Sequence, residues 1–288
     1  MDAAPPPLDA TLPPPDAGAW GPCVANGQPG ECLDVGDCAG VPVPGFCPGP
    51  AEIQCCVAAP MGCDPDARPV GPLDEAPGDA GCPPGMAAVA GFCVDRYEAA
   101  LVQADGMPWS PYQWPGVAEV RAVSVAGVVP QGYIDGVEAA AACAASGKRL
   151  CTDQEWLRAC RGAEERLWPW GDDRRPGTCN DARAQHPAVE LFPGDPNPFN
   201  HLQDPCLNQL PASLAATGAH PGCVTPEGVF DLVGHLHEWT ADPAGTFRGG
   251  FYVDTERNGP GCTYRTTAHD RPYWDYSTGF RCCADALP

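Results

Sequence analysis

The chain has 288 residues, with 16 basic against 37 acidic side chains, a formal net charge of −21, and 18 cysteines, 37 prolines and 34 glycines. A chain this acidic cannot neutralise a phosphate backbone, which excludes general nucleic-acid binding, and no apolar run is long enough to span a membrane. Cysteines in this number, without zinc-like or cluster-like spacing, favour disulfides in an oxidising compartment, so we expect an extracellular or periplasmic protein.

The first 19 residues are rich in proline and aspartate and predict an extended, acidic tether. They contain neither the basic start nor the apolar stretch of a secretory signal. We therefore expect that a signal or lipoprotein leader has been removed, and that the protein is secreted or lipid-anchored.

Residues 20–57 form a small module that holds six cysteines. A piece of fewer than about 40 residues cannot form a stable apolar core alone, so disulfides must hold it together. The sequence itself leaves their connectivity open. The cysteine pattern resembles the clip-like modules attached to extracellular proteases and cell-wall hydrolases, and this resemblance implies the pairs Cys23–Cys55, Cys32–Cys47 and Cys38–Cys56. Residues 58–81, rich in proline, glycine and aspartate, predict a linker.

From Cys82 to the end the sequence predicts a globular domain, residues 82–288. A helix is expected over 135–146, with Asp135 as its N-cap and Gly147 beyond its end. A capping box that begins at Thr152 opens a second helix, which ends at Gly162. Short segments such as 228–232, 235–240 and 247–253 predict strands. The expected class is α+β, with two helices, small antiparallel sheets and much ordered loop.

Motifs spread along residues 82–288 resemble the formylglycine-generating enzyme (sulfatase-modifying factor) family, which has an irregular fold like that of C-type lectins. The matching segments occur in family order: CPPGM at 82–86, FCVDRYE at 92–98, GKRLCTDQEW at 147–156, WPWGD at 168–172, GVFDLVGHLHEW at 228–239, RGG at 248–250 and GFR at 279–281. The single lysine of the chain, Lys148, lies inside one of them.

The resemblance implies copper held by two thiolates a few residues apart, which with oxygen converts a substrate cysteine to formylglycine. Two soft thiolates suit Cu(I), so the loss of one should abolish the site. Here the first thiolate position falls near Val253 or Asp254, and Cys262 alone stands near the second. We expect Cys262 to be a structural half-cystine. The alternative is an oxidoreductase that uses metal and oxygen on a protein cysteine or small thiol, with Cys262 and Arg265 as catalytic residues.

The resemblance also implies a calcium ion held by an oxygen-rich stretch of the 228–239 segment. Its ligands would be the Asp231 side chain, the carbonyl groups of Gly234 and Leu236, and the Glu238 carboxylate. Hard oxygen ligands on irregular backbone suit calcium. Asn180 would begin a second calcium site. The alternative is that these acidic side chains only cap turns.

Two histidines two residues apart depart from the family pattern. If 235–240 is a strand, His235 and His237 share a face, and together with His269 or Cys262 they could hold copper or iron. The alternative is that they are surface or hydrogen-bonded core residues.

Twelve cysteines remain for the linker and main domain. The family resemblance implies Cys143–Cys282, beside which we expect Cys151–Cys283. We expect Cys160–Cys179, which would close a loop around residues 168–172. We also expect Cys223–Cys262, which would join the 228–239 segment to the segment that holds the changed thiolate positions. Cys82–Cys93 and Cys63–Cys206 are then left, and the sequence does not decide between pairings of these four.

Together these observations predict an extracytoplasmic, formylglycine-generating-enzyme-like protein. We expect it to lack the copper chemistry and to act as a calcium-stabilised binding or scaffold protein. Its partner would be a protein, a glycan or the cell wall, contacted through aromatic loops such as 273–276.

Overall fold

The computed structural model describes residues 20–25, 28–38, 41–43, 46–50, 52–57, 62–79 and 81–286. The chain divides into two compact units, Met1–Gly62 and Cys63–Pro288. The predicted tether, residues 1–19, lies outside the described residues. No helix in the described part of the chain is both long enough and apolar enough to cross a membrane.

The first unit contains one antiparallel sheet of four strands in the order β1-β2-β4-β3, namely β1 (Pro22–Ala25), β2 (Gln28–Asp34), β3 (Val41–Val43) and β4 (Ile53–Val57). Its three disulfides are those implied by the clip-like resemblance: Cys23–Cys55, Cys32–Cys47 and Cys38–Cys56. The core is small, since Cys23, Cys32, Cys55 and Val57 are its buried members. Crosslinks therefore take the place of apolar burial.

The second unit begins at Cys63, within the segment 58–81 that the sequence predicts as a linker. Cys63 is bonded to Cys206, and Leu73 is buried in a cluster with Val102. Glu75 accepts a hydrogen bond of 2.7 Å from Lys148. These three contacts, at Cys63, Leu73 and Glu75, hold the proline- and glycine-rich segment against the domain.

The two predicted helices are present, with the predicted caps. α1 (Gly136–Ala145) is capped by Asp135, whose carboxylate accepts from the first-turn amides, and α2 (Asp153–Arg161) opens with the capping box of Thr152 and Glu155. A third helix, α3 (Pro187–Leu191), was not predicted. Five residues make little more than one turn, too few for a helical period to be recognised.

The strands of the second unit are short: β5 (Met86–Val89), β6 (Phe92–Asp95), β7 (Ala100–Gln103), β8 (Val120–Val123), β9 (Arg149–Leu150), β10 (His237–Trp239), β11 (Phe247–Arg248), β12 (Arg265–Thr266), β13 (Thr278–Phe280) and β14 (Cys282–Asp285). They form sheets in the orders β12-β11-β10-β13, β5-β6-β14-β9 and β7-β8. All pairs are antiparallel except β10 with β13, which run parallel. The α+β class with small sheets is confirmed, with that one parallel pair as a departure.

The segments predicted as long strands contain left-handed backbone that ends them early. Asp231, Gly234 and His235 have φ angles of 59°, 77° and 58°, so 228–232 forms no strand and β10 begins only at His237. Gly249 and Gly250, at φ 82° and 72°, end β11 in the same way. A side chain resists this conformation, so Asp231 and His235 depend on the surrounding contacts to hold it.

Candidate functional site

The short strand β10 lies at the centre of the candidate site. Side chains of successive strand residues point to opposite faces. His237 lines a cavity, whereas the next residue, Glu238, lies in a buried group of ion pairs. The two faces have different chemistry and are described in turn.

On one face, Arg281 and Glu238 form a fully buried, two-point ion pair. The Arg281 guanidinium donates to Glu238 at 2.6 and 2.7 Å, and Trp156 Nε1 donates to the same carboxylate at 2.8 Å. Arg281 also donates to the backbone carbonyls of Asp95 and Phe230. Both oxygens of Glu238 thus have partners, which is the condition under which a buried ion pair is tolerated.

A second buried pair joins His235 to Glu98. Their Nδ1 and Oε2 atoms are 2.5 Å apart, and Nε2 of His235 bonds to the Ala215 carbonyl at 2.9 Å. Burial acts to lower the pKa of His235, but the Glu98 carboxylate outweighs it and raises that pKa to about 9. Burial raises the pKa of Glu98 to about 7 against the opposing effect of His235. The pair carries a tightly held proton near neutral pH.

These contacts bear on the predicted calcium site. Glu238 already has a buried counter-ion in Arg281, and Asp231 Oδ2 accepts from the Gly218 amide at 2.7 Å. A calcium ion ligated by Glu238 would have to displace a guanidinium held by four hydrogen bonds. The predicted set of Asp231, Gly234, Leu236 and Glu238 therefore does not fit calcium as arranged.

The second calcium site remains a prediction. The side-chain amide of Asn180 donates to the Ser213 carbonyl at 2.8 Å, and its backbone carbonyl accepts from the His235 amide at 2.9 Å. These contacts give Asn180 a structural role, because they tie its loop to the segment that precedes β10.

Cys262, the candidate catalytic thiol, is covalently closed. It forms a disulfide with Cys160 of α2, and Cys179 pairs with Cys223. The predicted pairs Cys160–Cys179 and Cys223–Cys262 are therefore wrong. All four sulfurs lie in one buried cluster, so spacing along the chain could not decide between the pairings.

The remaining predicted disulfides are present: Cys143–Cys282, Cys151–Cys283, Cys82–Cys93 and Cys63–Cys206. With them all 18 cysteines of the chain are paired. The second catalytic candidate, Arg265, is half exposed and lies 3.6 Å from Asp242. It is absent from the lining of the cavity described next. No thiolate is available to act beside it.

On the other face of β10 lies a cavity of about 240 Å³, which we call the aromatic cavity. Its rings come from β10 and β11, the turn after β11, the residue just before β12, and the segment between β12 and β13. They are His237, Phe247, Phe251, Tyr264, His269, Tyr273 and Tyr276, accompanied by Leu202, Asn258, Thr266, Ala268, Asp275 and Ser277. Most of the rings are buried, and His269 is exposed at the rim, where it stacks on Tyr273 with 3.6 Å between ring centroids.

His237 lies within the ring cluster. It is 8% exposed, and its centroid lies 4.8 to 5.4 Å from those of Phe247, Phe251 and Tyr264. Burial lowers the pKa of His237 to about 3, so the imidazole is neutral. Its Nδ1 has no hydrogen-bond partner among the described residues. Most buried polar atoms of folded proteins have a partner, so this nitrogen is available to a ligand that enters the cavity.

The predicted metal site of three histidines is only partly assembled. His237 and His269 both line the aromatic cavity, but His235 bonds to Glu98 elsewhere. The expectation of a shared face failed because the left-handed backbone at His235 keeps that residue out of the strand. Within the described residues, the one trio of potential metal ligands close together is Cys23, Cys32 and Cys47, all in disulfides.

The sequence predicts only part of the lining of the aromatic cavity. The 273–276 segment was expected to be a binding loop, but Phe247, Phe251 and Tyr264 were not identified as its partners. One sequence signal was available: Phe251 stands where the family pattern has a small serine, directly after Arg248-Gly-Gly. In the structure the Phe251 ring lines the aromatic cavity.

The chain is similar in sequence to proteins of a known family. A family model described as the sulfatase-modifying factor enzyme 1-like domain matches residues 74–286. A formylglycine-generating enzyme from Bos taurus is 30% identical over 176 residues, covering 52% of this chain and 42% of that protein. An inactive C-alpha-formylglycine-generating enzyme 2 from Mus musculus is 29% identical over 169 residues, covering 55% and 50%.

Among solved structures, CarF superposes with a TM-score of 0.41 at 13% identity, covering 67% of this chain and 86% of that one. The chain spans about half the length of the curated relatives that it matches. The family model itself covers well over half of the chain. On that match, the chain belongs to the sulfatase-modifying factor, or formylglycine-generating-enzyme-like, family.

Proposed function

We propose that this protein is an extracytoplasmic binding member of its family, which uses the aromatic cavity to hold a ligand and does not oxidise cysteine. The observation that carries the proposal is the Cys160–Cys262 disulfide. This bond oxidises Cys262, the one cysteine near the second thiolate position of the family. The first thiolate position is occupied by Val253 or Asp254, neither of which has a thiol. A two-thiolate copper site needs both sulfurs in the reduced form.

The aromatic cavity supports the binding role. Phe251 fills the position before the altered thiolate pair, and its ring lies against His237 and Tyr276. Concave sites lined by rings with a few polar groups are where proteins hold small ligands. One curated relative is itself named as an inactive enzyme, so loss of the chemistry has a parallel in this family.

The location outside the cytosol is supported by the disulfides. Nine bridges in one chain would not persist in a reducing cytosol. A thiol count in denaturant without reductant should therefore give no free thiol. A count of two or more would contradict both the closed Cys262 and the proposed location.

The decisive experiment is copper reconstitution with oxygen uptake. Reduced copper and a cysteine-containing peptide are supplied under oxygen, with the formylglycine-generating enzyme of Streptomyces coelicolor as the positive control. We expect no copper retained above the reagent blank and no oxygen consumption. The variant Cys160→Ala, which frees Cys262, is the matched control for a single thiol. Peptide oxidation by the parent protein would reject the proposal in favour of the metal- and oxygen-dependent oxidoreductase.

A further inference from the structure

Resting on the binding role proposed above, we propose that the aromatic cavity recognises a small organic ammonium cation with alkyl groups on nitrogen. The inference starts from the composition of the wall. Seven of its thirteen lining residues carry a ring: five are phenylalanine or tyrosine and two are histidine. A ring face attracts a cation through its quadrupole, and cages of several rings are the arrangement by which proteins hold quaternary ammonium groups.

The charge of the cavity has the sign that this ligand requires. Asp275 is in the lining, whereas lysine and arginine are absent from it. Burial raises the pKa of the Asp275 carboxyl, while hydrogen bonds from Tyr273 and Ser277 favour its charged form. Asp254 lies just behind the wall, where its carboxylate accepts from the Tyr264 hydroxyl at 3.3 Å. Complementary charge in a mostly apolar site favours a cation over an anion.

The hydrogen-bonding groups of the wall disfavour a sugar. The tyrosine and serine hydroxyls are already engaged with the protein: Tyr264 with Asn258 and Asp254, Tyr273 with Asp275, Tyr276 with His186, and Ser277 with Asp275. A neutral polyol would lose water without gaining matching partners at these groups. An alkylated ammonium needs ring faces and a nearby negative charge, and the cavity supplies both.

The size of the cavity limits the ligand to a small one. A volume of about 240 Å³ is below the usual range for drug-sized ligands and suits a compact head with a short tail. The exposed His269 leaves an open rim, through which a tail would extend. The unpartnered Nδ1 of His237 is available for a polar group on that ligand.

The test compares a cation with its neutral isostere. Choline and tetramethylammonium chlorides are titrated into the intact protein by calorimetry, beside 3,3-dimethylbutan-1-ol, in which carbon replaces the ammonium nitrogen, and sodium chloride at matched ionic strength. We expect saturable binding of both cations and about tenfold weaker binding of the neutral alcohol. Equal binding of the alcohol, competition by a neutral sugar, or no heat with either cation would overturn the inference.

Matched variants locate the site. Phe251→Leu keeps an apolar side chain but removes a ring face, and it should weaken choline binding about tenfold. Phe46→Leu makes the same change at an exposed ring in the other unit and should leave the affinity unchanged. Equal affinity in Phe251→Leu and Phe46→Leu would also overturn the inference. The copper and oxygen assay is independent of this titration, so failure to bind ammonium and retained oxidase activity are distinguishable results.

Discussion

The two faces of strand β10 show two different uses of one short segment. On the side of Glu238, both Arg281 and His235 have a buried carboxylate partner, and these residues come from the motifs that mark the family. On the side of His237 a neutral ring lies among other rings with an unpartnered nitrogen. The ion-paired face builds the fold, whereas the aromatic face is free to take a new function. Variants on the two faces should therefore change different measurements.

The largest expected effect is on the ion-paired face. Arg281→Met leaves the Glu238 carboxylate buried without its counter-ion and should lower the free energy of unfolding by about 3–5 kcal/mol, measured by urea denaturation. Arg265→Met, which removes a half-exposed charge, should change it by about 0–1 kcal/mol.

If Arg281→Met does not fold, the double variant Arg281→Met/Glu238→Leu tests the same point. It removes both charges and should regain part of the lost stability. A single Arg281→Met variant as stable as the parent protein would show that the pair does not hold this face together.

The next largest effect is on the pH dependence of stability, to which His235 should contribute and His237 should not. The folded pKa of His235, about 9, lies above the ordinary value of 6.5. Its contribution to stability is therefore fully present below pH 6.5 and is lost as the pH rises through 9. For this shift the loss is on the order of 3 kcal/mol.

Thermal melts from pH 6.5 to 9 measure this loss of stability. In His235→Asn the melting temperature should depend less on pH over this range. The matched control is His237→Asn on the other face. Since His237 is neutral over this whole range, its replacement should leave the slope unchanged. A slope that depends on His237 and not on His235 would contradict the assignment.

The smallest expected effect is that of calcium. Because Arg281 already neutralises Glu238, calcium should not bind through Glu238, and a chelator should shift the melting temperature equally in the parent protein and in Glu238→Gln. The comparison of melts in chelator and in calcium checks this. A clear fall in chelator, abolished in Glu238→Gln, would restore Glu238 as a calcium ligand.

The sequence predicted the parts of this molecule that depend on local rules. The caps at Asp135 and Thr152 follow from short-range hydrogen bonding, so both long helices were found. The family motifs predicted the domain, but not how their charges meet: Lys148 bonds to Asp95 at 2.8 Å and Glu238 to Arg281 across the fold. Contacts between distant segments require the tertiary structure.

The errors also have physical reasons. Cys160, Cys179, Cys223 and Cys262 converge in one cluster, where proximity decides the pairing and separation along the chain does not. At His235 a single left-handed residue cancelled the expected alternation of strand faces. The aromatic cavity draws on residues from 202 to 277, and their assembly depends on the irregular loops that no periodic pattern describes.

The position of Lys148 has a practical consequence for proteolysis. The only lysine in the chain is 7% exposed and paired with Glu75 and Asp95, so a lysine-specific protease finds no accessible side chain in the native protein. Once the domain is unfolded, cleavage after Lys148 still yields no separate fragments. The Cys63–Cys206 and Cys143–Cys282 bridges span the cut, and the two pieces stay covalently joined until a reductant is added.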